Sequence, residues 1–525
     1  MIATACLPLP LWPTGRDRVR GRGMAAWLAQ PGGQLEGLIL AGLALRLVVA
    51  WLLGLGVDES YMVAAGRHLQ LSYFDHPPLS WWLAWGAARL FGGDAAIVVR
   101  LPFILLFALS TGLMYGLTAR LFSRQAAIWA AVALNLAPVF GVSTGGWVLP
   151  DGPLICALLG FALCLVRALG LDRRAAAPGF WLGVGACAGL ALLSKYSAIL
   201  TGAGAALFLL SGRAERRWLR QPGPWVAATI ALVLFAPVIV WNAQHGWASF
   251  AFQGGRAEGL RLRPLAPLAI LAGESVYLLP WIWLPLMLCL VAAFRRGAAE
   301  PAGRLLAWMA VVPIATFALV GIWSHGRVMY HWASPGYLML FPLLGRMIAE
   351  RLRRGGRAVR VGMAATAVLV CAGVLVVGTE VRWNWLAGTE PGAPSRDPDL
   401  EAVDWRSVAQ ALAARGLLHR DLAVATTDWH DSGKLDYALG GAAPVFCLGD
   451  DPREYGIIRP AQRFDGRDVL IVAPRATLAS VTARFGGWFH GITALPPVEL
   501  LHSGRLGFMV PVFLGHRMQV PKPVS

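Results

Sequence analysis

Apolar residues in this chain fall in long blocks separated by short polar joints rich in arginine. Leu38 to Leu55, broken only by Arg46, is one such block; Leu101 to Leu117 and Val361 to Val377 are others. Each is long enough to cross a bilayer, which needs roughly 20 helical residues. The blocks predict about eleven membrane helices. They lie near 36–56, 101–121, 125–142, 152–169, 180–194, 197–211, 224–241, 270–294, 305–323, 333–350 and 361–379. The fifth and sixth are short and predict a tight hairpin around Ser194, Lys195 and Tyr196.

Beyond residue 380 the pattern changes. Trp405, Val408 and Leu412 share one face of a helix expected over Glu401 to Arg415. Leu422 to Thr426, Pro444 to Leu448, Val469 to Ala473 and Gly507 to Leu514 read as buried strands. Residues 380–525 are therefore expected to form a small α/β domain.

Arginine sets the orientation. Arg16 to Arg22, Arg120 with Arg124, Arg167 with Arg173 and Arg174, Arg213 to Arg220, Arg295 with Arg296 and Arg304, and Arg351 to Arg360 all fall on one side of the alternation. The positive-inside rule makes that side cytoplasmic. The N-terminus is then inside the cell, and the long loops 57–100 and 242–269 and the domain 380–525 lie outside. Residues 1–34 form a basic cytoplasmic arm, unless translation begins at Met24, and residues 35–379 form the transmembrane domain.

Composition agrees. Of 525 residues, 57% are hydrophobic and only 14% charged, against about 25% charged in soluble domains. The net charge of +17 lies in the inter-helix joints, which argues against nucleic acid as a partner. Five of the seven cysteines sit in or beside apolar blocks and Cys447 stands alone in the C-terminal part, so that part has no internal disulfide. No Cys/His pair has metal-ligand spacing, and no glycine-rich phosphate loop is present. Neither a metal nor a cofactor is expected.

Candidate chemistry clusters on the outer side. Asp58 and Glu59 follow the first span directly. Adjacent carboxylates there can activate or orient an acceptor hydroxyl, or Asp58 can simply cap a helix starting at Glu59. Tyr61 lies one turn on. Farther along, Tyr73-Phe74-Asp75-His76-Pro77-Pro78-Leu79 precedes Trp81 and Trp82. Asp75 suits a helix cap before proline. His76 can bind a phosphate or move a proton, and the tryptophans suit a surface-lying helix at the headgroup layer. Asp151, in Pro150-Asp151-Gly152-Pro153, caps the fourth span or faces the outer side as Asp58 does. Lys195 neutralises a lipid phosphate or snorkels to the interface. Arg256, Arg261, Arg263, His325, Arg327 and His331 add outer cationic groups where the positive-inside trend expects few. The Trp241-to-Trp247 segment suits either sugar recognition or an aromatic belt.

Asp58-Glu59, Tyr73 to Leu79, Arg100-Leu101-Pro102, Pro150 to Pro153 and Leu193-Ser194-Lys195-Tyr196 occur in that order. Over residues 36–340 this order resembles the bacterial form of the dolichyl-phosphate-mannose protein mannosyltransferase superfamily. These are glycosyltransferase family 39-like enzymes, among them the lipid A aminoarabinose transferase. The resemblance implies a GT-C fold: an α-helical polytopic membrane protein with surface-lying helices in its first outer loop. It also implies a polyprenyl-phosphate sugar donor, inversion at the anomeric carbon, and a lipid, glycan or protein acceptor in the envelope. Asp58 then matches the catalytic carboxylate, with Glu59 beside it and Asp151 as second acid. His76, Lys195, Arg327 and Arg256 become donor-phosphate ligands, and Asp75, Tyr61, Tyr196, His325 and His331 line the substrate. The aminoarabinose branch carries Phe-Glu-Lys-Pro where this chain has Phe74-Asp75-His76-Pro77, which favours a different sugar. A transporter or lipid flippase would explain the spans and charges equally well. Against it stand the absence of an internal repeat and the clustering of charges at one face.

Overall fold

The computed structural model describes residues 30–256, 258–259, 262–324, 326–385, 401–419 and 422–521. Most of the basic arm, Arg261 and His325 therefore lie outside the described residues. Seven helices among these are long and apolar enough to cross a membrane: Gly32–Leu52, Ala96–Leu121, Asp151–Leu169, Pro222–Gln244, Pro280–Ala299, Pro301–Val320 and Arg357–Trp383. Three shorter apolar helices join them, Phe180–Ser194, Ala198–Ser211 and Ala266–Leu278. The chain is a polytopic helical membrane protein with a small C-terminal sheet domain.

Three expected spans are broken. The stretch read as 125–142 is the helix Arg124–Leu136 followed, past the extended Ala137 and then Pro138, by a π-helical turn Val139–Thr144. The stretch read as 270–294 is two helices that meet at Leu279, whose φ is 70°. Pro280 follows, and proline's ring disfavours helical geometry in the residue before it. The stretch read as 333–350 divides into Ser334–Leu338 and Phe341–Arg353, with Pro342 at the start of the second. Pro342 lacks an N–H, so it is tolerated in the first turn but not mid-helix. The expected break at Ser194 to Tyr196 is present. The chain leaves Phe180–Ser194 at Lys195, whose backbone is extended, and re-enters a helix at Ala198.

The chain divides into two compact units that do not follow chain order. One takes Met1–Leu47, His76–Ser80 and Leu101–Ala372; the other takes Val48–Asp75, Trp81–Arg100 and Gly373–Ser525. In the first unit the helices meet at small residues. A Cβ on Gly204 would come within 2.4 Å of the Trp308 carbonyl, and one on Gly345 within 2.4 Å of the Ala126 carbonyl. Lipid supplies no hydrophobic drive between helices, so close backbone approach at such residues carries the packing. Its core holds Phe107, Phe140, Phe208, Leu286, Leu305 and Phe341, all nearly inaccessible.

In the second unit lies a five-stranded sheet in the order β2-β1-β3-β5-β4. The strands are β1 Ala423–Thr426, β2 Val445–Cys447, β3 Val469–Val472, β4 Gly491–His502 and β5 Arg505–His516. β1 pairs in parallel with β2 and β3; β5 runs antiparallel to both β3 and β4. Alternate residues feed two cores. Val424, Leu470 and Val512 face one with Val408 and Leu412, and Ala425, Ile471 and Phe513 face the other with Phe464 and Phe485. The Arg406–Ala414 helix buries Val408 and Leu412 as its periodicity predicted, with Trp405 buried at its cap. Four strands were legible and β4 was not. It contains Pro496 and Pro497 and slips register between Leu495 and Val498. Proline is confined to edges and bulges, and β4 is an edge.

This second unit also contains most of the loop 57–100, all but His76–Ser80. The short helix Val57–Ala65 packs on the C-terminal helix Trp429–Leu439 so closely that a Cβ on Gly433 would sit 2.7 Å from the Cα of Tyr61. The ε-ammonium of Lys434, 3% exposed, donates to the carbonyls of Leu55 (2.6 Å) and Val403 (3.2 Å). The C-terminal domain thus builds the floor under the helix that carries Asp58.

Candidate active site

The two adjacent acids after the first span have separate surroundings. The helix starts at Val57, with Gly56 as its cap, so Asp58 is a first-turn residue rather than the cap. Carboxylates are stabilised there by the helix dipole. Glu59 is 3% exposed and bound on both oxygens. Arg100 Nε lies 2.8 Å from Oε1, and Arg100 Nη2 lies 2.5 Å from Oε2. The Gly56 N–H donates to Oε2 at 2.9 Å. Arg100, itself 1% exposed, spends its remaining protons on the carbonyls of Leu53 (2.8 Å) and Gly54 (2.7 Å). Glu59 and Arg100 thereby tie the end of the first span to the start of the Val57–Ala65 helix. Asp58 is exposed. The protein around it nevertheless pushes its carboxyl above the ordinary range, with Asp75 and Glu59 adding to the rise and Arg453 and His430 opposing it.

Asp75 does not cap a helix, since the next helix begins only at Leu79. It is 2% exposed and accepts a hydrogen bond from the Tyr61 hydroxyl at 3.4 Å and an ion pair from Arg453 at 3.2 Å. Tyr61, 1% exposed, packs edge-on against Trp81 and Trp429. Trp81 is fully buried and stacks on Tyr73 at 4.1 Å, so it forms core and not a headgroup belt.

In the other unit a second group assembles at helix ends. Asp151 opens the Asp151–Leu169 helix and is 7% exposed. Lys195, in the break after Phe180–Ser194, brings Nζ to 2.9 and 3.0 Å from its two oxygens. This is a buried pair, with both side chains about one-tenth exposed. His331 lies in the turn before Ser334–Leu338 and is acted on by Lys195, Asp151 and Arg256 together. His76 also acts electrostatically on Asp151. Arg256 lies 4.5 Å over Phe252 and 5.4 Å from Trp332, the neighbour of His331. Tyr196 shares a 2.6 Å hydrogen bond with Ser249. Arg327 is exposed, 5.4 Å over Tyr330. Lys195 and Arg256 against Asp151 leave one net positive charge among these three, the sign an arriving phosphate needs. Among the described residues no three His, Cys, Asp or Glu side chains converge as metal ligands.

Burial lowers the His331 imidazole to about 4, with the Lys195 ammonium adding to the fall. The folded protein therefore holds His331 neutral while the unfolded chain protonates it near 6.5. Between those values the unfolded state binds more protons, so stability falls on acidification from 6.5 towards 4. The purified protein is expected to lose more apparent melting temperature between pH 7 and pH 5 than His331→Gln does; equal losses would refute this.

Sequence reading missed Arg453, Trp429, His430, Lys434 and Glu454, which come from the C-terminal domain. Nothing in their local sequence marks them. Only the fold brings them to a helix nearly four hundred positions earlier.

Residues 75–241 match the family model described as dolichyl-phosphate-mannose-protein mannosyltransferase. The lipid A galacturonosyltransferase RgtD of Rhizobium johnstonii is 24% identical over 286 residues, 54% of this chain. The alignment spans 58% of that relative's length. Crystal structures of ArnT from Cupriavidus metallidurans, apo and bound to undecaprenyl phosphate, superpose with TM-scores of 0.63. Identity is 16% and 17%, and the match covers 93% of this chain and 99% of ArnT. The helical bundle, the loop helices and the C-terminal sheet domain together thus have the fold of those ArnT structures.

Proposed function

We propose that this chain is an inverting glycosyltransferase that moves one monosaccharide from a polyprenyl-phosphate carrier to a lipid or glycan acceptor at the periplasmic face of the inner membrane. The observation that carries this reading is the buried Lys195–Asp151 pair, with His331, Arg256 and His76 acting on it. A cationic excess at the ends of apolar helices suits a phosphate whose tail stays in lipid. The likeness to ArnT bound to undecaprenyl phosphate and to a lipid A galacturonosyltransferase supports a lipid-linked donor and a lipid acceptor. The arginine asymmetry supports a cytoplasmic N-terminus and a periplasmic C-terminal domain.

In the reaction the acceptor hydroxyl oxygen attacks the anomeric carbon as the bond from that carbon to the phosphate oxygen breaks. Attack from the opposite face inverts the configuration. Asp58, the open acid of the first outer loop, takes the hydroxyl proton. The polyprenyl phosphate leaves as an anion, and Lys195, Arg256, His76 and Arg327 hold its charge. Charge placed in advance where charge develops is usually the largest catalytic contribution. Asp151 holds Lys195 in place, and His331 and Tyr196 flank the sugar. Glu59, Tyr61 and Asp75 act from beneath by fixing the helix that carries Asp58.

The test is mass spectrometry of envelope lipids and glycans from cells with and without the gene. One envelope species is expected to lose the mass of a single monosaccharide when the gene is deleted and to regain it on complementation. Unchanged envelopes, with accumulated substrate on one side of the membrane instead, would favour a transporter.

A further inference from the structure

One short segment of the C-terminal domain, Asp451 to Glu454, grips the first outer loop at several points. The Glu454 N–H donates to the Tyr61 hydroxyl at 3.1 Å. Its carboxyl accepts the Phe74 N–H at 2.8 Å and the side-chain amide of Gln70. The neighbouring Arg453 has a left-handed backbone, φ 47°. Its guanidinium lies 3.6 Å over the ring of Trp429, 3.2 Å from Asp75 and 3.4 Å from Asp451. Asp75 in turn holds Tyr61. Tyr61 lies three residues after Asp58 on one helix, so their side chains share a face. The segment therefore fixes the helix beneath Asp58 and brings a positive charge to it.

We propose that Arg453 is a positioning residue for the transfer: by holding Asp75 and setting its charge beside Asp58, it orients and charges the group that accepts the hydroxyl proton. The proposal rests on the glycosyltransferase reading above. It gives the C-terminal domain a direct part in the chemistry. Four groups face Asp58. Desolvation by the surrounding protein raises the carboxyl of this exposed side chain, Asp75 and Glu59 raise it further, and Arg453 is the first of two cations that oppose them, His430 being the other. Glu59 is already neutralised by Arg100. His430 is half exposed and paired with Asp428 at 3.5 Å, so Arg453 is the permanent charge of the two.

The experiment uses purified full-length protein added to membranes from cells lacking the gene, which supply both donor and unmodified acceptor. Product is read by mass spectrometry from pH 5 to pH 8. Transfer by the wild type comes first; its absence would overturn the glycosyltransferase reading itself. Given transfer, Arg453→Gln removes a positive charge from Asp58. The acidic limb of the rate profile is expected to move up by about one pH unit. Arg453→Lys is expected to return the limb towards the wild-type position. Asp75→Asn removes a negative charge and is expected to move it down, which decides the matter if Arg453→Gln does not accumulate. A purely structural Arg453 would lower the yield of active protein without moving the limb. A limb that stays in place, or moves with the opposite signs, overturns the proposal.

Discussion

Replacing Asp58 by asparagine is expected to reduce transfer by roughly 10²- to 10⁴-fold while the protein still inserts and folds. Asparagine keeps the shape of the side chain but cannot take a proton from the acceptor hydroxyl. Asp58 is exposed, and its neighbours Glu59, Tyr61 and Asp75 carry the hydrogen bonds that fix the loop. The loss should therefore fall on the maximal rate, with donor binding and melting temperature near those of the wild type. Glu59→Gln should behave differently. It weakens the buried link to Arg100 and is expected to cost stability first. An Asp58→Asn protein that still transfers sugar at more than one-tenth of the wild-type rate would remove Asp58 from the mechanism.

The second large effect is expected at Lys195. Lys195→Met leaves the Asp151 carboxylate buried without its cation, and breaking one side of a buried pair typically costs about 3–5 kcal/mol. The apparent melting temperature should fall accordingly. Adding Asp151→Asn removes the stranded charge, so the double variant should regain much of the lost stability. Donor affinity should not return. Loss of a charged contact is worth roughly 10- to 100-fold in affinity, read as binding of undecaprenyl phosphate to the purified protein. Recovery of both stability and binding in the double variant would mean that the pair is only a structural bridge.

How far the fold was legible depended on range. The apolar blocks and arginine joints marked the helices because both signals are local and long. Breaks at Leu279 and before Pro342 were harder, since the flanking segments stay apolar on either side of a proline. At the site, Lys195 was legible because a lone ammonium interrupts an apolar stretch, and Asp151 because it follows a proline at a helix start. Their pairing at 2.9 Å was not. The double acid Asp58-Glu59 gave no sign of which member was committed elsewhere, because the deciding partner, Arg100, lies 41 positions away. Arg453 and Trp429 were out of reach for the same reason at far greater separation. Such contacts are fixed by tertiary packing alone, and one chain read by itself does not display them.

The bond between Tyr61 and Glu454 joins positions 393 apart, which bears on how the molecule is made. The loop after the first span leaves the ribosome early, but the surface it must settle on is synthesised nearly four hundred residues later. Closing so distant a contact is slow compared with forming any single helix. Until the segment around Glu454 has folded, the helix bearing Asp58 has no floor. A chain stopped before residue 454 is therefore expected to insert its early helices yet leave the Asp58 helix unsupported, lacking the bond to Tyr61.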